Sequence, residues 1–104
     1  MLLCKGVNRM FSSLATKIEY EYTNFYNFMT TMSKHDIYAK SREIECKKCI
    51  RKTLKQKCLF PPDQEQKLMT RINLMAEIYS MMDTEIISKE SVMQCVEKIL
   101  YSPA

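Results

Sequence analysis

Histidine and cysteine are the residues of this 104-residue sequence that most directly suggest a chemistry. A tetrahedral zinc site needs four such ligands, and one set falls within a single stretch of the chain. That set is His35, Cys46, Cys49 and Cys58. The Cys46–Cys49 pair lies inside a helical pattern, however, without the Gly or Pro that commonly shapes a zinc-ligand turn. Zinc binding therefore stays an alternative, and we expect neither a metal ion nor a cofactor.

The same pair, Cys46-Lys47-Lys48-Cys49, allows two thiol chemistries. A thioredoxin-like redox pair lies at the start of a helix in a β-α-β framework, and the sequence predicts no such framework. A disulfide between cysteines three residues apart would cross-link nothing that the helix does not already hold. The C-x9-C pairs of helical-hairpin proteins of the mitochondrial intermembrane space are also missing, since Cys49 and Cys58 are spaced as C-x8-C. The odd number of cysteines, five, favours small apolar residues on packed helix faces in a reducing compartment.

Residues for other enzyme chemistry are scarce. Gly6 is the only glycine, whereas phosphate-binding loops, dinucleotide fingerprints and nucleophile elbows each need several. Ser33, His35 and Asp36 are too close in the chain to form a catalytic triad, because neighbouring side chains point in different directions. We therefore expect that the protein is not an enzyme.

Apolar residues recur at helical spacing along most of the chain. The stripes are Leu14, Ile18, Tyr22, Phe25, Met29 and Met32 in a first helix over 13–33, Leu68, Ile72, Met75, Tyr79 and Met82 in a third, and Val92, Val96, Ile99 and Leu100 in a fourth. A thinner stripe predicts a second helix that ends near Cys58, before Pro61-Pro62. The predicted N-caps of the last three helices are Asp36, Asp63 and Ser88. We expect an all-α fold over residues 12–104, a small three- or four-helix bundle of helical hairpins with no transmembrane helix.

The amino-terminal residues 1–17 contain no Asp or Glu. Their basic, hydroxylated and apolar side chains separate onto two faces of a helix, the composition of a mitochondrial transit peptide. The stretch Arg9-Met10-Phe11-Ser12-Ser13 resembles the processing sites of matrix presequences, in which Arg precedes an aromatic residue and then small hydroxylated ones. We predict a targeting segment over residues 1–11, cleaved or retained, and a mitochondrial protein on the matrix side of the inner membrane or peripheral to it. The residues expected to carry the signal are Lys5, Arg9, Phe11 and Ser12.

Positive charge is concentrated in residues 40–57. Eight basic side chains and two acidic ones give this stretch a net charge of +6. Such a patch suits phosphates, anionic lipid headgroups or an acidic protein surface. Nucleic acid is the less favoured partner, because Lys outnumbers Arg twelve to four and no aromatic residue lies between Tyr38 and Phe60. The residues expected to contact the partner are Lys47, Lys48, Arg51, Lys52 and Lys55.

Nine methionines and several aromatic residues indicate more apolar surface than one small bundle buries. These patterns together predict a non-catalytic structural accessory subunit of a mitochondrial multiprotein complex, with an inner-membrane respiratory-chain or ATP-synthase complex as the leading expectation. Its partners would be other subunits and anionic lipid headgroups. One alternative is a mitochondrial ribosomal or RNA-associated protein that binds phosphates through residues 40–57. The other is a small zinc-binding or thiol-redox factor that uses Cys46 and Cys49.

Overall fold

A computed structural model describes residues 13–56 and 60–101 of the chain. Within these ranges the chain is all-α and has no strand, which confirms the predicted fold class. The helices are α1 (Leu14–Met29), α2 (Lys34–Ala39), α3 (Ser41–Leu54), α4 (Pro62–Met69), α5 (Leu74–Met81) and α6 (Lys89–Leu100). None of the described helices is long and apolar enough to cross a membrane. The four predicted helices become six because the second and the third are each divided.

The first helix follows its predicted stripe closely. Ser13 is its N-cap, and the Ser13 hydroxyl accepts a hydrogen bond from the Thr16 backbone N–H at 3.3 Å. Leu14, Ile18 and Met29 are buried, as the spacing predicts. The helix ends at Met29 rather than continuing to residue 33.

The second predicted helix is interrupted at Lys40, where the backbone leaves helical geometry with φ −101° and ψ 17°. Its N-cap is Ser33 rather than Asp36, because the Ser33 hydroxyl accepts the Asp36 backbone N–H at 3.2 Å. The short α2 buries no residue, whereas α3 buries Cys46 and Ile50 among others. The interruption at Lys40 therefore separates α2, which buries no residue, from α3, which contributes to the core.

The third predicted helix is interrupted between Met69 and Leu74. Its first half begins at Pro62, with Pro at the favoured first position, so the Asp63 cap prediction was wrong. Ile72 falls in the interruption and is 97% exposed, so its predicted place in the buried stripe was also wrong. The chain becomes helical again after Asn73, whose side chain accepts the backbone N–H of Ala76 at 3.2 Å.

The last helix forms as predicted, with Ser88 as its N-cap. The Ser88 hydroxyl accepts the Ser91 backbone N–H at 3.1 Å, and the Ser91 hydroxyl accepts the Ser88 backbone N–H at 3.2 Å. This reciprocal capping box satisfies donors that would otherwise lack a partner at the helix start. Val92 and Val96 are fully buried on the inner face of α6.

Helix α3 lies at the centre of the fold and packs against α1, α5 and α6. The side chains with almost no exposed surface are Ile18, Cys46, Ile50, Leu54, Leu68, Leu74, Met75, Ile78, Val92 and Val96. Helices α1 and α3 run antiparallel, since Glu19 contacts Arg51 and Phe25 contacts Lys47. The packing of α1 against α3 and α5 thus holds in place the helices that line two depressions of the surface.

Candidate partner-binding surface

Helix α1 exposes aromatic side chains on both of its sides between Tyr20 and Phe28. Tyr20, Tyr26 and Phe28 are 47%, 58% and 57% exposed, respectively. Phe25 lies between the two sides and is half-buried. Because exposed aromatic residues that cluster are typical of binding surfaces, this part of α1 is the candidate functional site.

The depression on one side, which we name the α1–α5 cleft, has a volume of about 280 Å³. It is lined by Tyr20, Glu21, Asn24, Phe25, Phe28, Lys47, Ile72, Asn73 and Met75. Ile72, Phe28 and Tyr20 are its exposed apolar lining, and the amide side chains of Asn24 and Asn73 lie beside them. The cleft therefore presents both apolar surface and hydrogen-bonding groups.

The buried side of this cleft is polar and internally satisfied. The Glu21 carboxylate is almost inaccessible and accepts hydrogen bonds from the backbone N–H groups of Leu74 at 3.1 Å and Met75 at 2.7 Å. The Lys17 ammonium lies 3.0 Å from the same carboxylate and is equally buried. These contacts give two donors of the first turn of α5 an acceptor, and they place the negative charge where the helix dipole favours it. Glu21 thus has a positioning role between α1 and α5.

The depression on the other side of α1, which we name the α1–α3 groove, has a volume of about 230 Å³. It is lined by Tyr22, Phe25, Tyr26, Met29, Thr30, Ile37, Ile44 and Lys48. Most of this lining is apolar, and Lys48 is the one charged side chain among the described residues that line it. The groove is therefore an apolar channel with a cation at its edge.

Three of the five predicted contact residues are paired within the protein. Lys47 is 8% exposed, and its Nζ lies 2.7 Å from Oε2 of Glu43. The same ammonium lies 4.1 Å from the centre of the Phe25 ring and 5.6 Å from that of Tyr79, within the range of cation–π attraction. Lys47 is thus buried against partners within the protein and offers little of its charge to the surface.

The other two paired residues, Arg51 and Lys55, share Glu19. Nε and Nη2 of Arg51 donate to the two Glu19 oxygens at 2.9 and 3.0 Å, and Nζ of Lys55 lies 2.9 Å from Oε1. The Arg51 guanidinium also lies 4.8 Å from the centre of the Tyr22 ring. The hydrogen bonds from Arg51 and Lys55 lower the pKa of Glu19 from 4.5 to about 2.

Lys48 and Lys52 are the two predicted contact residues whose charges are not paired in this way. Both are exposed, and neither forms an ion pair with any of the described residues. The positive surface is consequently narrower than the net charge of +6 over residues 40–57 suggests.

The predicted zinc ligands do not converge in the part of the chain that the structure describes. No three His, Cys, Asp or Glu side chains in residues 13–56 and 60–101 are close enough together to hold a metal ion. His35 is exposed on α2, and Cys58 lies outside the described residues.

The described cysteines are free thiols within the packed interior. Cys46 and Cys95 are buried and Cys49 is half-buried. Burial raises the pKa of the Cys46 and Cys95 thiols, which makes their reactive thiolate forms less accessible. The interpretation of these cysteines as small apolar residues on packed faces agrees with this placement.

The predicted targeting residues Lys5, Arg9, Phe11 and Ser12 lie outside the described residues. Conversely, the residues Tyr20, Phe28 and Ile72, which line the candidate cleft, were not among the predicted contact residues. A signal was available for Tyr20, which lies off the predicted apolar stripe of α1, and for Phe28, which widens that stripe beyond a single face. Comparison with models of known protein families, with curated proteins and with solved structures found no match for this chain.

Proposed function

We propose that this protein is a non-catalytic accessory subunit of a mitochondrial multiprotein complex, and that it docks onto a neighbouring subunit through the α1–α5 cleft. The observation that carries the proposal is the exposure of Ile72, 97%, beside Phe28 and Tyr20. An inner-membrane respiratory-chain or ATP-synthase complex is the assembly we propose.

The energetics of this surface favour a protein partner. Complete burial of one isoleucine or phenylalanine side chain contributes roughly 1.5–3 kcal/mol. Tyr20 adds an aromatic body with a hydroxyl, a combination enriched at protein interfaces. Asn24 and Asn73 supply hydrogen-bonding groups next to the apolar ones, and protein interfaces contain this mixture whereas a lipid-chain surface does not.

The mitochondrial part of the proposal is supported by the amino-terminal sequence. Residues 1–17 are basic, hydroxylated and free of acidic residues, which is the composition that import receptors and the membrane potential act on. The RNA-binding alternative receives less support, because Lys47, Arg51 and Lys55 are paired within the protein. RNA phosphates would require those charges to be free.

Replacement of the exposed apolar residues tests the docking proposal. We expect the double variant Ile72→Ser/Phe28→Ser to lose at least about tenfold in the amount that co-migrates with a large complex on native gels. The matched control is Ile86→Ser/Tyr101→Ser, which changes two exposed apolar residues away from the cleft. Equal co-migration of the two double variants would overturn the docking surface, and recovery of the natural protein as a free monomer from mitochondria would overturn the subunit proposal.

Import into isolated mitochondria tests the location. We expect Lys5→Glu/Arg9→Glu to abolish uptake that depends on the membrane potential, since the transit peptide must be basic. The control Lys89→Glu/Lys98→Glu makes the same change in charge on exposed positions of α6 and should leave uptake intact. Equal uptake of the two variants would contradict a mitochondrial location. So would a failure of the natural chain to be taken up.

A further inference from the structure

We infer that the α1–α3 groove binds an amphipathic α-helix of a neighbouring subunit, and that acidic residues of this helix pair with Lys48 and Lys52. The inference rests on the proposed function and specifies the chemistry of one partner. It concerns the face of α1 opposite the α1–α5 cleft, so each surface can be tested without the other.

The apolar lining of the groove has the pattern that a third helix needs. Tyr22, Tyr26 and Met29 recur at spacings of four and three on α1 and therefore lie on one face of it. Ile37 of α2 and Ile44 of α3 form the opposite wall. Two walls made by helices leave a channel into which the apolar ridge of another helix packs, as in other complexes that bind a helix in a groove.

Charge complementarity identifies the polar side of the partner. Lys48 lines the groove, and Lys52 follows one helical turn later on the same face of α3. Glu19 binds Arg51 and Lys55, and Glu43 binds Lys40 and Lys47, while Glu45, three residues before Lys48, is exposed and forms no ion pair with the described residues. No acidic side chain in residues 13–56 and 60–101 is within ion-pair distance of Lys48 or Lys52. Both ammonium groups are therefore available to carboxylates of a partner.

The spacing of the two lysines favours a helix over a lipid or nucleic-acid surface. Carboxylates four residues apart on a partner helix are one turn apart, which is also the separation of Lys48 and Lys52 along α3. An anionic membrane or an RNA backbone is bound through clusters of several basic residues. Because Lys47, Arg51 and Lys55 are paired with glutamates, only two of the five predicted contact residues are left without an ion-pair partner among the described residues.

Site-specific photo-cross-linking in cells tests the partner. The probe is p-benzoylphenylalanine in place of Tyr26, a groove residue that is 58% exposed. The control is the same probe in place of Tyr101, which is 74% exposed and lies at the carboxyl-terminal end of α6. We expect the groove probe to cross-link to a helical segment of another subunit with two carboxylates one turn apart, and the control probe to miss that segment. Cross-links to lipid, RNA or a segment without such carboxylates overturn the inference.

The absence of any cross-link, while the protein still co-migrates with the complex, also overturns the inference but leaves the proposed function intact. Loss of co-migration by the natural chain itself would instead remove the proposed function.

Charge reversal tests the two lysines directly. We expect Lys48→Glu/Lys52→Glu to lower recovery of the cross-linked segment about tenfold. Replacement of the two partner carboxylates by lysine should restore recovery with this double variant. Lys89→Glu/Lys98→Glu is the matched control, with the same change in net charge and one position likewise in the last turn of a helix. An equal reduction of recovery by the two double variants would show that the paired carboxylates are not the partner of these lysines. The same conclusion would follow if Lys48→Glu/Lys52→Glu kept its cross-link but lost binding to vesicles of phosphatidylcholine and cardiolipin.

Discussion

The carboxylate of Glu21, on α1, accepts a hydrogen bond from the backbone N–H of Met75 at 2.7 Å, although the two residues are 54 positions apart. The adjacent N–H of Leu74 donates to the same carboxylate. A related contact joins α4 to α1, since Glu65 accepts the Leu14 backbone N–H at 2.8 Å. Carboxylates from distant parts of the chain thus satisfy the first turns of two helices, and the contacts of Glu21 tie the walls of the α1–α5 cleft together.

Replacement of Glu21 by Gln should destabilise the fold through these contacts. Gln lacks the charge that strengthens both backbone hydrogen bonds, and it removes the ion pair with the buried Lys17. We expect the free energy of unfolding to fall by about 2 kcal/mol, measured by urea unfolding of the full chain.

The control for this variant is Glu97→Gln, which changes an exposed residue that forms no ion pair with the described part of the chain. It should change the free energy of unfolding by less than about 0.5 kcal/mol. Equal effects of the two substitutions would mean that the contacts of Glu21 with α5 do not contribute to stability.

Two isoleucines near α5 should respond very differently to the same truncation. Ile78 is fully buried, and Ile78→Ala should cost about 3 kcal/mol because it removes apolar contacts and leaves a cavity. Ile72 is 97% exposed, and Ile72→Ala should alter the free energy of unfolding by less than about 0.5 kcal/mol. Comparable losses in urea unfolding would place Ile72 in a packed core, contrary to the structure.

Ile72 also shows why helical spacing alone could not locate the cleft. Leu68, Ile72 and Met75 are spaced as on one continuous helix, and the interruption between α4 and α5 involves Glu21, which is about fifty residues earlier. Ser88, by contrast, was predictable because its capping partner Ser91 is three residues away. The Ser88 cap depends only on its neighbours in the sequence, whereas the interruption that exposes Ile72 involves a contact with a distant part of the chain.

The candidate site was only partly predictable for the same reason. The spacing of Glu43 and Lys47 suggests an ion pair within α3, but no local pattern shows that Phe25 and Tyr79 pack around the Lys47 ammonium. The charge of residues 40–57 was visible in the sequence, while its partial neutralisation by Glu19 depends on the packing of α1 against α3.

The ion pairs of Glu19 predict how stability changes at acidic pH. Hydrogen bonds from Arg51 and Lys55 lower the pKa of Glu19 from 4.5 to about 2 in the folded state. The contribution of this carboxylate is therefore fully present above pH 4.5 and is lost as the pH falls from 4.5 to about 2. Because the Glu19 side chain is 40% exposed, solvent screening limits the contribution to about 1 kcal/mol or less.

The variant Glu19→Gln tests this dependence when its free energy of unfolding is compared with that of the natural chain across the same pH range. The difference between the two should be largest near neutral pH and should shrink towards zero near pH 2. Added salt should also reduce the difference, since the pair is partly exposed. A difference that grows on acidification would have the wrong sign for a lowered pKa.

Thiol alkylation distinguishes buried apolar cysteines from metal ligands or a redox pair. Cys46 and Cys95 are buried and burial raises the pKa of both thiols, so iodoacetamide should modify them at least about tenfold more slowly in the folded chain than in urea. Cys49 is half-buried and should react faster than Cys46. Trypsin cleaves at the lysines between these two cysteines, so mass spectrometry quantifies each one separately.

A zinc chelator added before alkylation completes this test. If Cys46 and Cys49 held zinc, removal of the metal would release both thiolates together, and both rates would rise. If the two cysteines were an oxidised pair, a reductant would be needed before either reacted. We expect neither the chelator nor the reductant to change the rates, because packing of Cys46 against the core is sufficient to protect it while Cys49, one helical turn away, stays partly accessible.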